Sequence, residues 1–192
     1  MKRALATVLL ALAACAPQAA PPGPASVPAE HLYLWTASAD STRPDFLAVL
    51  DVTEDPVRYG RLVTTLAAPG LANGPHHTEH ELAADRRLFA NGFGSGRTFI
   101  FDLSDPVHPR LAGELGDVKG YTHPHSFLRL PSGNVLATFQ MRHVAGGMEP
   151  GGLVELTPAG ATVRSGSAVT PGADTGLRVY SAGIVPPLDR IA

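Results

Sequence analysis

The chain has one cysteine in 192 residues, so no disulfide can form within it. Its 15 Lys and Arg against 17 Asp and Glu leave a formal charge of −2. A phosphate-binding surface needs a basic excess, so nucleic acid is not an expected partner. Aromatic residues are scarce, at 6%, and charged residues make up 17%. The apolar run Ala4 to Ala11 is too short to span a bilayer as a stable helix. Low charge and recurrent aliphatic runs exclude disorder beyond the N-terminus. Glycine (20) and proline (18) are abundant instead, which predicts many turns and short elements rather than a few long helices. The length suits one soluble domain. Eight histidines beside a single cysteine are the compositional anomaly.

The first residues read as an address. Lys2 and Arg3 form a positive region ahead of the apolar run, and Leu12-Ala13-Ala14-Cys15 follows. That tetrapeptide resembles a bacterial lipobox, in which the cysteine is lipidated and the preceding residues are removed. Residues 1–14 are therefore expected to be a lipoprotein signal peptide, with Cys15 the lipidation site. Residues 15–29 are read as a Pro/Ala-rich tether without apolar periodicity, and residues 30–192 as the folded part. The expected location is outside the cytoplasm, on the periplasmic side of a bacterial membrane and held there by the lipid. Alanine after the cysteine suggests the outer membrane.

Self-comparison exposes a repeat of about fifty residues. Leu47 to Thr53 is followed by Asp55-Pro56-Val57, and Phe99 to Ser104 by Asp105-Pro106-Val107. Leu153 to Pro158 continues the pattern, so Asp51, Asp102 and Glu155 align at steps of about 51 and 53 residues. An apolar stretch precedes each core (His31 to Ala37, Arg87 to Phe93, Asn134 to Gln140). A further strand-like run follows each (Arg61 to Leu66, Arg110 to Leu115, Thr162 to Val169). Short runs of β-formers between Gly, Pro, Asp and Ser read as strands. Four antiparallel strands per fifty-odd residues predict an all-β chain built as a β-propeller, with a coincidentally spaced sandwich as the alternative. The span from Cys15 to the end corresponds to about three to three and a half blades, whereas closed propellers have about 4–8. The chain is thus expected to be a truncated part of a larger propeller, ending inside a hairpin near Leu188.

Six histidines fall between positions 76 and 125, and five of them form two clusters. One cluster is His76-His77-Thr78-Glu79-His80 and the other His123-Pro124-His125-Ser126. Both open the innermost strand of a blade, with His77 and His125 about one period apart and Tyr180 at the matching place in the next copy. Innermost strands line a propeller's channel, so these residues should converge. Neutral imidazoles meeting at one point make a site for Cu, Zn, Ni or Fe. His76, His77 and His125 are the leading candidate ligands, with His123 and His80 behind them. His31, His108 and His143 are expected to be solvated. Adjacent strand residues point to opposite faces, so His76 and His77 can share an ion only if a turn or bulge intervenes. Asn73-Gly74-Pro75 makes one plausible. Glu79 and Glu81 read as partners of the ligands or as surface charges. A rival reading takes His76-x-x-Glu79-His80 as an inverted zinc-peptidase motif, which requires a helix.

These segments resemble the selenium-binding protein family, which includes bacterial methanethiol oxidases. Pro44 to Val52 is similar to the family's P-D-Y-L-A-x-x-D-V segment, Pro75-His76-His77-Thr78 to its H-H-S motif, and Arg97 to Leu111 to its strand and "EPRAPKL" turn. Pro124-His125-Ser126, with Pro131 to Val135 after it, is similar to its P-H-T and S-G-E-V pair. The resemblance covers roughly residues 30 to 170. It implies a seven-bladed propeller with copper held by histidines, of which His76, His77 and His125 are present here. It also implies oxidation of methanethiol by O2 and water to formaldehyde, hydrogen sulfide and hydrogen peroxide. The partners implied are a small thiol and O2, with the membrane reached through the lipid. The family's C-x-x-C is absent, Leu82 to Asp85 standing in that region, and its second histidine after P-H is Leu128. Selenium binding through cysteine is therefore not expected. The alternative function is a non-catalytic lipoprotein propeller that binds metal or a protein partner.

Overall fold

A computed structural model describes residues 29–169, 172, 178–185 and 190–191. The signal peptide, Cys15, nearly all of the tether, and Leu188 lie outside the described residues.

Among the described residues every regular element is a strand, as the expected all-β propeller requires. β1 (His31–Thr36), β2 (Phe46–Asp51) and β3 (Leu62–Ala67) form a three-stranded antiparallel sheet in that order. β4 (Pro75–Thr78), β5 (Arg87–Gly92), β6 (Arg97–Asp102) and β7 (Arg110–Leu115) make a four-stranded blade. β8 (Tyr121–Arg129), β9 (Val135–Val144), β10 (Gly147–Leu156) and β11 (Thr162–Ser167) make a second. β12 (Ile184–Val185) pairs with β13 (Arg190–Ile191). The predicted strand cores and their flanking runs coincide with these elements.

The middle blade shows why its strands read as unbroken apolar runs. Alternate residues face opposite ways along a strand, and here both faces are covered. Leu88, Ala90, Phe99 and Phe101 pack with Leu47, Ala68 and Leu103, against the first sheet. Phe89 and Ile100 pack the other way, with Phe127, Val135, Phe139 and Val154 of the next blade. Each fully buried Phe contributes on the order of 1.5–3 kcal/mol, and that burial exists only because blades stack. The outer strands β3, β7 and β11 are largely exposed, whereas β8 lies against β4 and β5.

The third copy of the repeat differs from its sequence alignment. Asp51 and Asp102 each end the third strand of a blade's pattern, and their carboxylates accept the Thr53 and Ser104 amides, both at 3.0 Å. Register places Thr157, not Glu155, at that position, since Asn91 pairs with Thr98 and Thr138 with Leu153. Thr157 fills the role with its hydroxyl, accepting the Ala161 amide at 3.1 Å. Glu155 instead accepts from Asn134 Nδ2 at 2.7 Å and Arg164 Nε at 2.6 Å. A two-residue slip keeps every side chain on the same face of the strand, so alternation cannot distinguish the two registers.

Candidate metal centre

The site begins in the turn ahead of β4. Asp45, nearly buried, accepts the Ser38 amide at 2.9 Å and the Asn73 amide at 2.8 Å, and so ties the first sheet to this turn. Gly74 then adopts φ +67°, and a Cβ there would stand 2.9 Å from the Gly94 amide nitrogen. Only glycine meets both demands comfortably. The chain enters β4 at Pro75 and at once departs from regular pairing. Pro75 lies opposite Gly92 and Thr78 opposite Ala90, three residues against two. The extra residue is a β-bulge at His76-His77, which breaks the alternation that would part their rings.

β8 repeats the device. Pro124 lies opposite Phe139 and Phe127 opposite Ala137, again three against two. The register aligns Pro75 with Pro124, and hence His76 with His125 and His77 with Ser126. The 48-residue pairing of His77 with His125 read from the sequence is therefore one residue out.

Two bulges on neighbouring inner strands bring three imidazoles together. One nitrogen from each of His76, His77 and His125 can be chosen so that all lie within 4.8 Å of one another. Ring centroids are 4.2 Å apart for His76 and His77, 4.4 Å for His77 and His125, and 5.0 Å for His76 and His125. Burial is graded, with His76 exposed, His77 half-buried and His125 buried. His125 Nδ1 is 2.7 Å from the Tyr180 carbonyl oxygen, which can only accept. The ring therefore carries its proton on Nδ1 and presents Nε2 as a lone pair. His77 Nε2 is buried and without a hydrogen-bond partner among the described residues. An orphaned polar atom at this depth is costly unless something binds it.

The electrostatics favour the neutral form of His77 and His125. Burial lowers the His77 pKa below the ordinary histidine value, and His125, His76 and His80 lower it further. Burial also lowers that of His125, with His76 adding to it, while the bond to Tyr180 opposes the change. Neutral imidazole is the form that binds a metal. Nitrogens about 2.0–2.1 Å from one ion lie about 2.9–4.1 Å apart, so this set needs only a small closure. The residues present fit a late first-row metal with imidazole ligands, with no thiolate near them among the described residues.

The other histidines lie elsewhere. His80 is exposed beyond the end of β4, where it lines an open cleft of about 700 Å³ with Tyr33, Arg86 and Pro106. His123 stands on β8 at φ +56°, its ring 5.5 Å from Phe93 and its Nδ1 buried without a partner among the described residues. Neither joins the three-imidazole group. His108 and His143 are exposed, His108 bonding Asp105 at 3.0 Å, and His31 is half-buried on β1. The helix required by the inverted peptidase motif is absent from the described residues, with His76 and Glu79 at a strand and its end.

Glu79 has a role the sequence did not suggest. Its buried carboxylate receives Arg129 Nε at 2.9 Å and Nη2 at 3.0 Å, and the Phe89 amide at 3.0 Å. The pair joins β4 to β8 beyond the ligands. Glu81 is exposed.

Asn91, Thr138 and Trp35 also escaped sequence reading. They occupy one register position in three sheets, opposite Thr98, Leu153 and Leu47. Asn91 Oδ1 accepts the His76 amide at 3.0 Å and the His77 amide at 2.7 Å. Its Nδ2 donates to the Pro124 and His125 carbonyls at 3.0 and 3.1 Å. Thr138 Oγ1 accepts the Ser126 amide and donates to the Tyr180 carbonyl, both at 2.9 Å. Trp35 Nε1 donates to the Asn91 carbonyl at 2.6 Å. A side chain able to donate a hydrogen bond, recurring in one column of the repeat, is the signal that could have found them.

No protein-family model matches the chain. A methanethiol oxidase from Hyphomicrobium sp. is 32% identical over 108 residues, which is 53% of this chain and 24% of that protein. A hypothetical selenium-binding protein from Sulfolobus tokodaii has a similar crystal structure, with a TM-score of 0.59 at 23% identity, covering 70% of this chain and 33% of that one. A protein from Lactobacillus plantarum gives a TM-score of 0.54 at 12% identity over 82% of this chain and 43% of that one. These two solved structures bear on the fold alone. The chain spans about a quarter of the length of the curated relative it matches.

Proposed function

We propose that the chain is a relative of the selenium-binding protein family: its motifs resemble that family's, the methanethiol oxidase match supports the reading, and the Sulfolobus structure is similar in fold. We propose that this chain is the N-terminal part of a copper-dependent thiol oxidase, exported and lipid-anchored through Cys15. Its reaction takes a small thiol such as methanethiol with O2 and water to the aldehyde, hydrogen sulfide and hydrogen peroxide. For methanethiol the atoms balance, one molecule each of thiol, dioxygen and water giving one each of formaldehyde, hydrogen sulfide and hydrogen peroxide. The carbon is oxidised by two electrons and O2 is reduced by two.

The observation that carries the reading is the convergence of His76, His77 and His125 from two bulged inner strands, with His77 Nε2 otherwise orphaned among the described residues. When bound, copper supplies a Lewis acid that favours thiolate over thiol and a path for electrons to O2. The protein's residues do the rest. The Tyr180 carbonyl holds the His125 proton on Nδ1 and so points the opposite nitrogen into the site. Burial lowers the pKa of His77 and of His125 and so favours their unprotonated, metal-binding form. Phe93 and Tyr180 flank His125, with ring centroids 5.8 and 3.8 Å from it. His76, the exposed ligand, marks the open side by which a small thiol would enter.

The test is copper stoichiometry and thiol-dependent release of peroxide and sulfide from the complete protein, with His77→Ala and His125→Ala alongside. Each variant should lose most of the copper and the turnover. Unchanged copper content in both would remove the site. Copper bound without thiol turnover would leave the non-catalytic metal-binding reading in its place.

A further inference from the structure

We infer that Asn91 is the positioning residue of the three-imidazole centre. It acts through the backbone of the ligands rather than by touching an ion. This inference rests on the metal-site reading above and deepens it.

The side chain is fully buried, in the middle of β5 between the two ligand-bearing strands. An amide side chain offers one oxygen that accepts twice and one nitrogen that donates twice. All four capacities are used here, and all at ligand-bearing segments. The oxygen takes the amides of both residues in the first bulge, His76 and His77. The nitrogen serves the carbonyls of Pro124 and His125 in the second bulge. A bulge leaves backbone groups outside the sheet ladder, and buried ones must find partners. One side chain supplies them for both bulges and sets the separation of His77 from His125 across the blade boundary.

Comparison within the chain supports a role specific to the centre. The same column holds Trp35 in the first sheet and Thr138 in the next blade, and each makes a bond to the following segment. Bridging neighbouring sheets is thus general to the position. Trp35 makes a single bond and Thr138 serves one amide of its own inner strand, whereas Asn91 orients three ligand residues at once. Asp in its place has at most one O–H to give where Asn gives two N–H, so the second bulge loses a tether while the volume is unchanged.

The test uses the full chain and compares Asn91→Asp, Asn91→Thr and Glu79→Gln. Two readouts are taken: imidazole 15N NMR of the metal-free protein, and the Cu(II) EPR spectrum and copper affinity after loading. Glu79→Gln weakens the other brace between β4 and β8, so it controls for lost stability alone. Asn91→Asp is expected to shift or average the imidazole resonances of His77 and His125, alter the copper spectrum and weaken copper binding about 10- to 100-fold. Asn91→Thr, which keeps one donor and one acceptor, should fall between Asp and the parent. It carries the comparison if Asp prevents folding. Glu79→Gln should lose stability with both signatures intact. Parent-like imidazole resonances and copper spectra in both Asn91 variants would overturn the inference and leave Asn91 an ordinary brace between blades. If the parent takes up no copper yet the imidazole resonances still respond to Asn91, positioning stands and the oxidase reading falls.

Discussion

Arg129→Met should cost this protein about 3–5 kcal/mol at neutral pH, the range for breaking a buried ion pair by removing one partner. Glu79 keeps only 3% of its side chain in contact with solvent and Arg129 19%. The guanidinium bonds both carboxylate oxygens and also reaches Asp85 Oδ2 at 3.1 Å, the Gly133 carbonyl at 2.9 Å and the Arg87 carbonyl at 3.1 Å. Methionine fills the volume over the Phe89 ring but leaves Glu79 with the Phe89 amide as its one remaining donor among the described residues. The deficit should also depend on pH. Burial is the main influence on the Glu79 carboxyl and raises its pKa, the Asp85 carboxylate adds to this, and the Phe89 amide and Arg129 pull it down. Removing Arg129 raises it further. A folded pKa above the unfolded one means the native state binds more protons, so stability increases as pH falls through the folded value. The Arg129→Met deficit should therefore shrink from pH 8 to pH 5. Pairing Arg129→Met with Glu79→Leu should recover part of the loss, since no buried charge then lacks a partner although the Phe89 amide loses its acceptor. Urea unfolding midpoints at both pH values measure each quantity. A deficit under about 1 kcal/mol that does not change with pH would refute the assignment of this pair as the brace between β4 and β8.

Thr138→Val should destabilise the chain by about 1–3 kcal/mol, because it strands the buried Ser126 amide and removes one of the donors to the Tyr180 carbonyl; thermal unfolding checks it. The metal-free protein should lose stability as pH falls below about 6.5, the ordinary histidine value, because His77, His123 and His125 have folded pKa values below it and the unfolded chain takes up protons first. His77→Ala should flatten part of that slope in acid titrations followed by fluorescence. Cys15→Ser should abolish labelling by radioactive palmitate in a bacterial host and release the protein from the membrane fraction, whereas retained label would refute the anchor.

Much of this architecture is local in origin and was legible without coordinates. The strand cores Phe46–Asp51 and Arg97–Asp102, their Asp-x-[ST] turns and the runs on either side follow from alternation and turn chemistry. The need for a bulge at His76-His77 was also legible, since two adjacent strand residues cannot otherwise face one point. The displacement of Glu155 was not, because alternation repeats every two residues and is blind to a slip of two. Nor was the one-residue shift that aligns His76, rather than His77, with His125. Spacing near fifty residues tolerates such an error, and only ladder pairing resolves it.

Residue order in this chain sets which segments become strands, where they turn and which residues carry imidazoles, because those properties depend on neighbours a few positions away. Which imidazoles meet was decided by the stacking of blades. His76, His77 and His125 are brought together by two bulges on strands that are separate in sequence, while His80 and His123, the secondary candidates of the linear pattern, stand apart. The braces that hold the bulges, Asn91 and Thr138, and the Glu79–Arg129 pair exist only where one sheet touches the next. Such contacts carry no periodicity of their own. They follow from distance and burial, which form only once the sheets have packed.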